Sequence, residues 1–333
     1  MKKIILLILS IFLLTGCDFF KSDALKDIDV YTTTYPVNYI IDYLYGENAN
    51  IYSIYPSDVN FKEYELSEKK LNEFAKSSLF VFNSQDIDRN YAVNMLNKNS
   101  NLKLIDTTLG MNYTYSIEEL WLNPYNYLMM AKNTKTSLNE YISDPYLKKD
   151  INEKYELLQY ELSKLDAAYK ETLKDAKFTT IVTDNELFKF LEKYNIEVIT
   201  LEENIKNITI KEGDNLSDIS KEYNVSISDI LTYNNKLDEN IKVGENLKIP
   251  VKTIETSNVN KVKKLISENK IKYIFSDSKE SNSIVTDLIK EYKLELITIN
   301  TMYSINGNVT NSNENYLTIM NDNLELFKKE LYK

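Results

Sequence analysis

Residues 146–176, YLKKDINEKYELLQYELSKLDAAYKETLKDA, contain neither Gly nor Pro. Leu158, Leu162, Leu165, Tyr169 and Leu173 recur within them at spacings of four, three, four and four, which sets them on one stripe of an α-helix. The stretch therefore predicts one long amphipathic helix. Outward from it, short runs rich in β-branched and aromatic residues alternate with helical patterns. Before it come Ile28 to Thr33, Ile51 to Tyr55, Leu79 to Phe82 and Leu102 to Ile105; after it come Thr179 to Val182, Glu197 to Thr200, Tyr273 to Phe275 and Leu294 to Ile299. That alternation implies parallel strands covered by crossover helices. Local punctuation agrees: Pro36 can open a helix where its missing N–H costs nothing, Gly46 stands past the end, and Ser67 can cap the next helix. The expected fold is α/β, with two Rossmann-like α/β lobes, 28–145 and 177–206 with 251–333, joined by the helix at 146–176.

Composition removes whole classes of function. The chain has no histidine, so it lacks the commonest general base, the commonest transition-metal ligand and every Ser-His or Cys-His nucleophile pair. No enzyme is expected, and no cofactor. A formal charge of −10, more negative still without Lys2 and Lys3, argues against a sequence-independent grip on nucleic acid. The single cysteine, Cys17, permits no intramolecular disulfide. The 26 tyrosines cluster near the amino end, but Tyr39 and Tyr43 lie four apart on a helix, which favours core packing over sugar stacking.

The alternation is interrupted once, at 207–250. Ile208-Thr-Ile-Lys-Glu-Gly-Asp-Asn-Leu-Ser, Ile219-Ser-Lys-Glu-Tyr-Asn-Val, Ile230 with Asn234, and Val243-Gly-Glu-Asn-Leu-Lys-Ile-Pro250 read as strand, helix, helix, strand. Gly213 permits a turn, Asp214 is expected to cap the first helix, and Leu216, Ile219, Tyr223, Ile230 and Leu247 supply a small core. The segment resembles a LysM module, the unit that binds N-acetylglucosamine-containing glycans such as peptidoglycan. The fold expected is thus a βααβ domain inserted in the C-terminal lobe. The resemblance implies a groove lined by Gly213, Asp214, Asn215 and Leu216 on one side and Asn240 and Ile241 on the other. Asn215 stands where that family usually has Thr. An insertion that keeps the fold without the sugar is the alternative.

At the amino end Lys2 and Lys3 precede an apolar run from Ile4 to Leu14 and the string Leu14-Thr-Gly-Cys17. The run is too short for a membrane span of about 20 residues, and the string resembles the lipobox of bacterial lipoproteins. It implies a signal peptide at 1–16, lipidation of Cys17, a tether at 17–27, and an extracytoplasmic protein anchored to the cell membrane.

Further motifs stand in the body: Tyr31-Thr-Thr-Thr-Tyr-Pro36, Tyr64-Glu-Leu-Ser67, Trp121-Leu-Asn-Pro124, and Asn315-Tyr-Leu-Thr-Ile-Met320 with Asn323. In this order they resemble the solute-binding proteins of zinc and manganese ABC importers. That resemblance implies a metal held in a cleft between the lobes by three histidines and one carboxylate. The matching positions here are Lys62, Glu119, Asn185 and Asn300, and they do not form a tetrahedral zinc shell, because ammonium is no ligand and amide oxygens are weak ones. The expectation is a lipid-anchored binding protein with a degenerate metal site. Its partners would be peptidoglycan, the membrane through its lipid, and an ABC permease. The alternatives are a working zinc or manganese receptor whose ligands have moved to other positions, an oxygen cage in which Glu119 joins Glu63, Asp184 or Asp277 around a hard cation such as Ca²⁺ or Mg²⁺, and a cell-wall hydrolase, for which no motif marks a catalytic pair.

Overall fold

A computed structural model of the chain describes residues 25–56, 59, 61, 64–84, 87–202, 204–234, 236, 238–251, 256–302 and 314–333. Cys17, Lys62 and Glu63, on which the expectations above partly rest, lie outside them. In chain order the elements are β1 (Ile28–Thr32), α1 (Tyr35–Tyr45), β2 (Ala49–Ser53), α2 (Glu68–Phe74), β3 (Leu79–Phe82), α3 (Asp88–Lys98), β4 (Lys103–Asp106), α4 (Glu119–Leu122), α5 (Pro124–Tyr141) and α6 (Pro145–Lys174). There follow β5 (Thr180–Thr183), a 3₁₀ segment (Glu186–Tyr194), β6 (Glu197–Thr200), β7 (Asn204–Thr209), α7 (Leu216–Tyr223), α8 (Ile227–Tyr233), β8 (Asn246–Val251), α9 (Thr256–Ser267), β9 (Tyr273–Ser276), α10 (Ser283–Tyr292), β10 (Glu295–Thr298) and α11 (Tyr316–Leu331).

Two parallel four-stranded sheets result, in the orders β2-β1-β3-β4 and β10-β9-β5-β6. All four residues of β3 are buried, as expected of a strand covered on both faces. Val30 pairs with Ile51 on one side and Leu79 on the other; Val182 pairs with Ile199 and Ile274 in the second sheet. The second strand begins earlier than the apolar run Ile51 to Tyr55, because its register sets Ala49 against Ile28. Each fully buried Val, Leu or Ile in these sheets contributes roughly 1.5–3 kcal/mol.

The helix ends follow their local chemistry. Ser67 accepts a hydrogen bond from Lys70 N, capping α2. Pro36 stands in the first turn of α1, and Gly46 follows it in right-handed conformation, so the glycine there is not required by a left-handed turn. The Cβ of any other residue at 46 would meet Asp42 Oδ1 at 2.5 Å. The long helix α6 starts at Pro145, one residue before the expected run, with Asp144 Oδ1 accepting from Tyr146 N at 2.8 Å.

The chain forms two compact units that exchange segments. One holds the described parts of 1–112 with 125–163 and 302–316; the other holds 113–124, 164–301 and 317–333. Helix α6 begins in the first and ends in the second. In the first unit Tyr39 is tilted against Tyr35, Tyr43 and Tyr316, and the buried Tyr127 stacks on Tyr316 with ring centroids 3.7 Å apart. Tyr127 Oη donates to Pro36 O at 2.7 Å. Of the amino-end tyrosines, Tyr35, Tyr45 and Tyr55 are buried in the core, Tyr39 and Tyr43 are half-buried, and Tyr52 is exposed.

In the second unit, Val182, Ile199, Leu201, Val262, Ile274, Val285 and Leu288 build one apolar cluster around the sheet, and Ile210, Leu216, Ile219, Val225, Ile230, Leu247 and Ile249 build another that shares no residue with it. The second cluster belongs to β7, α7, α8 and β8, whose strands pair antiparallel from Asn204 against Val251 to Thr209 against Asn246. No helix among the described residues is long and apolar enough to cross a membrane.

Candidate functional site

The inserted β7-α7-α8-β8 segment presents two loops from one end of its two-stranded sheet. Ile210 N donates to Glu245 O and Gly244 N to Ile210 O, each at 2.8 Å, so residues 211–215 and 238–244 leave the sheet side by side. Gly213 and Gly244 adopt φ of 93° and 87°, left-handed conformations that cost glycine nothing. Asp214 does not cap α7. Its carboxylate accepts from Lys211 N at 2.7 Å and closes the turn, and the cap is Asn215. That residue is extended, immediately precedes Leu216, accepts from Asp218 N at 2.9 Å and donates to Asp218 Oδ2 at 2.7 Å.

Leu216 is 3% exposed and lies in the insert core, so only its backbone is free to face a ligand. Across from it Asn240 N donates to Asp238 Oδ1 at 3.0 Å, while Ile241 is half-buried against the core and Val243 is exposed. Lys236 Nζ donates to Glu245 Oε1 at 2.6 Å, and Lys242 N to Glu245 Oε2 at 2.9 Å. Those two bonds hold the Glu245 carboxyl below its usual range, Lys236 having the larger effect. Asn234 acts as a missing strand: Nδ2 donates to Lys248 O and Oδ1 accepts from Lys248 N, both at 2.8 Å.

Of the body positions expected at a metal, the three described ones, Glu119, Asn185 and Asn300, are engaged otherwise. Glu119 opens α4, and its Oε2 accepts from Thr114 N at 3.0 Å and Tyr115 N at 3.3 Å. Asn185 caps the 3₁₀ segment, its Oδ1 accepting from Leu187 N at 3.1 Å and its Nδ2 donating to Asp277 Oδ1 at 2.9 Å. Asn300 is held by its backbone: Asn323 Oδ1 accepts from Asn300 N at 3.1 Å and Asn323 Nδ2 donates to Asn300 O at 2.8 Å. Beside Asn185, Asp184 is 9% exposed; its Oδ1 has no partner among the described residues, and Ser281 donates to its Oδ2 at 3.4 Å. Burial first, and then the like charge of Asp277, push its pKa up to about 6 against hydrogen bonds from Ser276 and Ser281. Among the described residues no group of three or more Asp, Glu, Cys or His side chains could hold a metal.

Sequence reasoning passed over one polar network. Trp121 Nε1 donates to Thr301 O at 3.0 Å, and Asn123 Oδ1 accepts from Lys193 Nζ at 2.6 Å. Lys193 also pairs with Asp166, which accepts from Tyr194 Oη at 2.7 Å. Burial would raise the Asp166 carboxyl, but Lys170, Tyr194 and Lys193 together lower it. The Trp-Leu-Asn-Pro motif therefore fastens segment 113–124 into its unit, and the pairing of α6 with a segment far along the chain left no local signal.

Two parallel α/β sheets on one chain, bridged by a long helix, define the two-lobed α/β class of solute-binding proteins. The chain belongs to the family described as zinc-uptake complex component A, periplasmic, whose model matches residues 30–243. It is 24% identical over 353 residues to a protein of Streptococcus pneumoniae named zinc-binding lipoprotein AdcA, covering 99% of this chain and 61% of that one; it thus spans about three fifths of the relative's length. In fold it is similar to the zinc-bound ZnuA-like domain of AdcA from Streptococcus pneumoniae (TM-score 0.64, 19% identity, 92% of this chain and 100% of that one). The metal-dependent lipoprotein YcdH from Bacillus subtilis (TM-score 0.64, 17% identity, 92% and 100%) and the laminin-binding protein Lbp of Streptococcus pyogenes (TM-score 0.61, 16% identity, 92% and 99%) share that fold.

Proposed function

We propose that the chain is a non-enzymatic, extracytoplasmic solute-binding lipoprotein, anchored through Cys17 and partnered with an ABC permease, whose body has given up zinc. Its insert, residues 207–250, is a LysM module that holds peptidoglycan through Gly213, Asp214, Asn215, Leu216, Asn240 and Ile241. The relatives named as zinc-binding support the receptor class, and the lipobox resemblance supports the anchor. For the insert, the support is the βααβ order with its own core and two loops emerging together.

The observation that carries the loss of metal is Asn185. Both ends of its amide are engaged, one as a helix cap and one on Asp277, where the family resemblance expects an imidazole. The chain contains no histidine to replace it. Purified protein is expected to gain no thermal stability from Zn²⁺ or Mn²⁺, whereas a ligand at about 100 times its Kd adds about 2.7 kcal/mol. The combined variant Lys62→His, Glu119→His, Asn185→His and Asn300→Asp should acquire a zinc-dependent rise in melting temperature.

One observation favours a second reading, a zinc or manganese receptor with non-standard ligands: the buried Asp184 Oδ1, without a partner among the described residues, beside Asp277. The same measurement decides between them. A zinc-induced rise in the unmodified chain, abolished by Glu119→Ala, would establish the second reading and reject the first.

A further inference from the structure

At the carboxyl end of the first sheet most polar side chains are hydrogen-bonded. Thr32 Oγ1 donates to Tyr52 O at 3.1 Å and accepts from Asn38 Nδ2 at 3.0 Å. Ser53 Oγ donates to Thr33 O at 3.0 Å and accepts from Tyr55 N at 3.1 Å. Thr107 Oγ1 donates to Phe82 O at 3.1 Å, and Thr108 Oγ1 to Asn83 Oδ1 at 3.0 Å. Two consecutive residues break the pattern. Thr33 and Thr34 are 0% and 5% exposed, and neither Oγ1 has a hydrogen-bond partner among the described residues. A buried hydroxyl without a partner is costly, so two in succession call for an acceptor.

Their place in the fold indicates which acceptor. Thr34 is the cap residue of α1 and has the extended conformation that capping needs, φ −74° and ψ 162°, yet its side chain makes no capping bond. The first turn of this 11-residue helix holds no acidic residue. Its leading N–H groups, apart from Pro36, which has none, keep the positive end of the helix dipole directed at the two hydroxyls' loop. In the sheet order β2-β1-β3-β4, the connection after β1 leads to one side and that after β3 to the other. The carboxyl ends of such a strand pair are where open α/β sheets receive ligands. Hydroxyl and amide donors with a positive dipole, and no carboxylate in the helix's first turn, suit an acceptor that carries negative charge.

We propose that Thr33, Thr34 and the first turn of helix Tyr35–Tyr45 form a subsite for the oxyanion group, carboxylate or phosphate, of the solute that this lobe takes up. The inference rests on the solute-receptor reading above and specifies its cargo. Because both oxygens are shielded from solvent, only a small head group can reach them.

The test uses the full chain, with sodium phosphate and sodium acetate as probes and sodium chloride at matched ionic strength as control. One or both oxyanions should raise the melting temperature of the parent chain and of the Thr33→Ser, Thr34→Ser variant, which keeps both hydroxyls. The near-isosteric Thr33→Val, Thr34→Val variant should bind at least tenfold more weakly. A response to phosphate alone or to acetate alone identifies the head group. Absence of any response in the parent chain, or an equal response in the Val variant, overturns the subsite. Zinc titrated in parallel separates the two failures: indifference to zinc and to both oxyanions removes only the subsite, whereas zinc binding without an oxyanion effect also removes the reading of a body that has given up zinc.

Discussion

Asp184 is a carboxylate whose environment opposes its own charge. Its folded pKa, raised to about 6 by burial and by Asp277, lies above an ordinary value near 3.9. Between those values the folded state binds more protons than the unfolded one, so stability declines as pH rises from about 4 to about 6. Asp184→Asn removes the opposed charge. It should stabilise the protein at pH 7 by about 2 kcal/mol and flatten the pH dependence across that window. Denaturant melts of both proteins at pH 4, 5, 6 and 7 check this, and a slope unchanged by the substitution would show that Asp184 titrates normally. Neither the burial of Asp184 nor its neighbour 93 residues onward was visible in the sequence, where an acid at a strand end reads as solvated. The engagement of both ends of the Asn185 amide, on Leu187 N and on Asp277, was not visible either.

Among the elements, the insert shows what a local sequence does and does not encode. Its strand, helix, helix, strand order and its core residues Leu216, Ile219, Ile230 and Leu247 followed from periodicity, because each helix must bury a stripe; Tyr223 packs against that core only partly buried. The cap did not follow, since Asp214 and Asn215 are both competent and only the turn at Gly213 decides which one is left free. Asn234 is more telling: its amide stands in for a strand against Lys248. Asn234→Ala leaves both backbone groups of Lys248 without that partner, at a cost of about 1–2 kcal/mol. Amide hydrogen exchange in 204–251 should accelerate about tenfold while the Val182, Ile199 and Ile274 cluster keeps its protection. Equal acceleration in both would mean that the insert and the lobe open as one unit. Helix α5 starts at Pro124, where the missing N–H costs nothing.

At the scale of the whole molecule, the alternation of strand and helix on both sides of α6 was enough to specify two parallel sheets. It did not disclose that residues 113–124 join the second unit and the described residues of 302–316 the first, since such exchange depends on contacts like Trp121 to Thr301. The peptidoglycan reading is tested at this scale. Replacing 207–250 by a short Gly linker should leave a body that unfolds cooperatively and no longer sediments with purified peptidoglycan; undiminished sedimentation would move the glycan contact elsewhere in the chain. The deletion is expected to be tolerated because Asn204 faces Val251 in register, which brings the two crossing points to about 5 Å, the spacing of paired strands. A gap of that size is bridged by almost any compact fold whose ends are neighbours. The lobe thus carries a socket, and a different cassette could be exchanged into it, giving the same body a new surface to hold without redesign of either part.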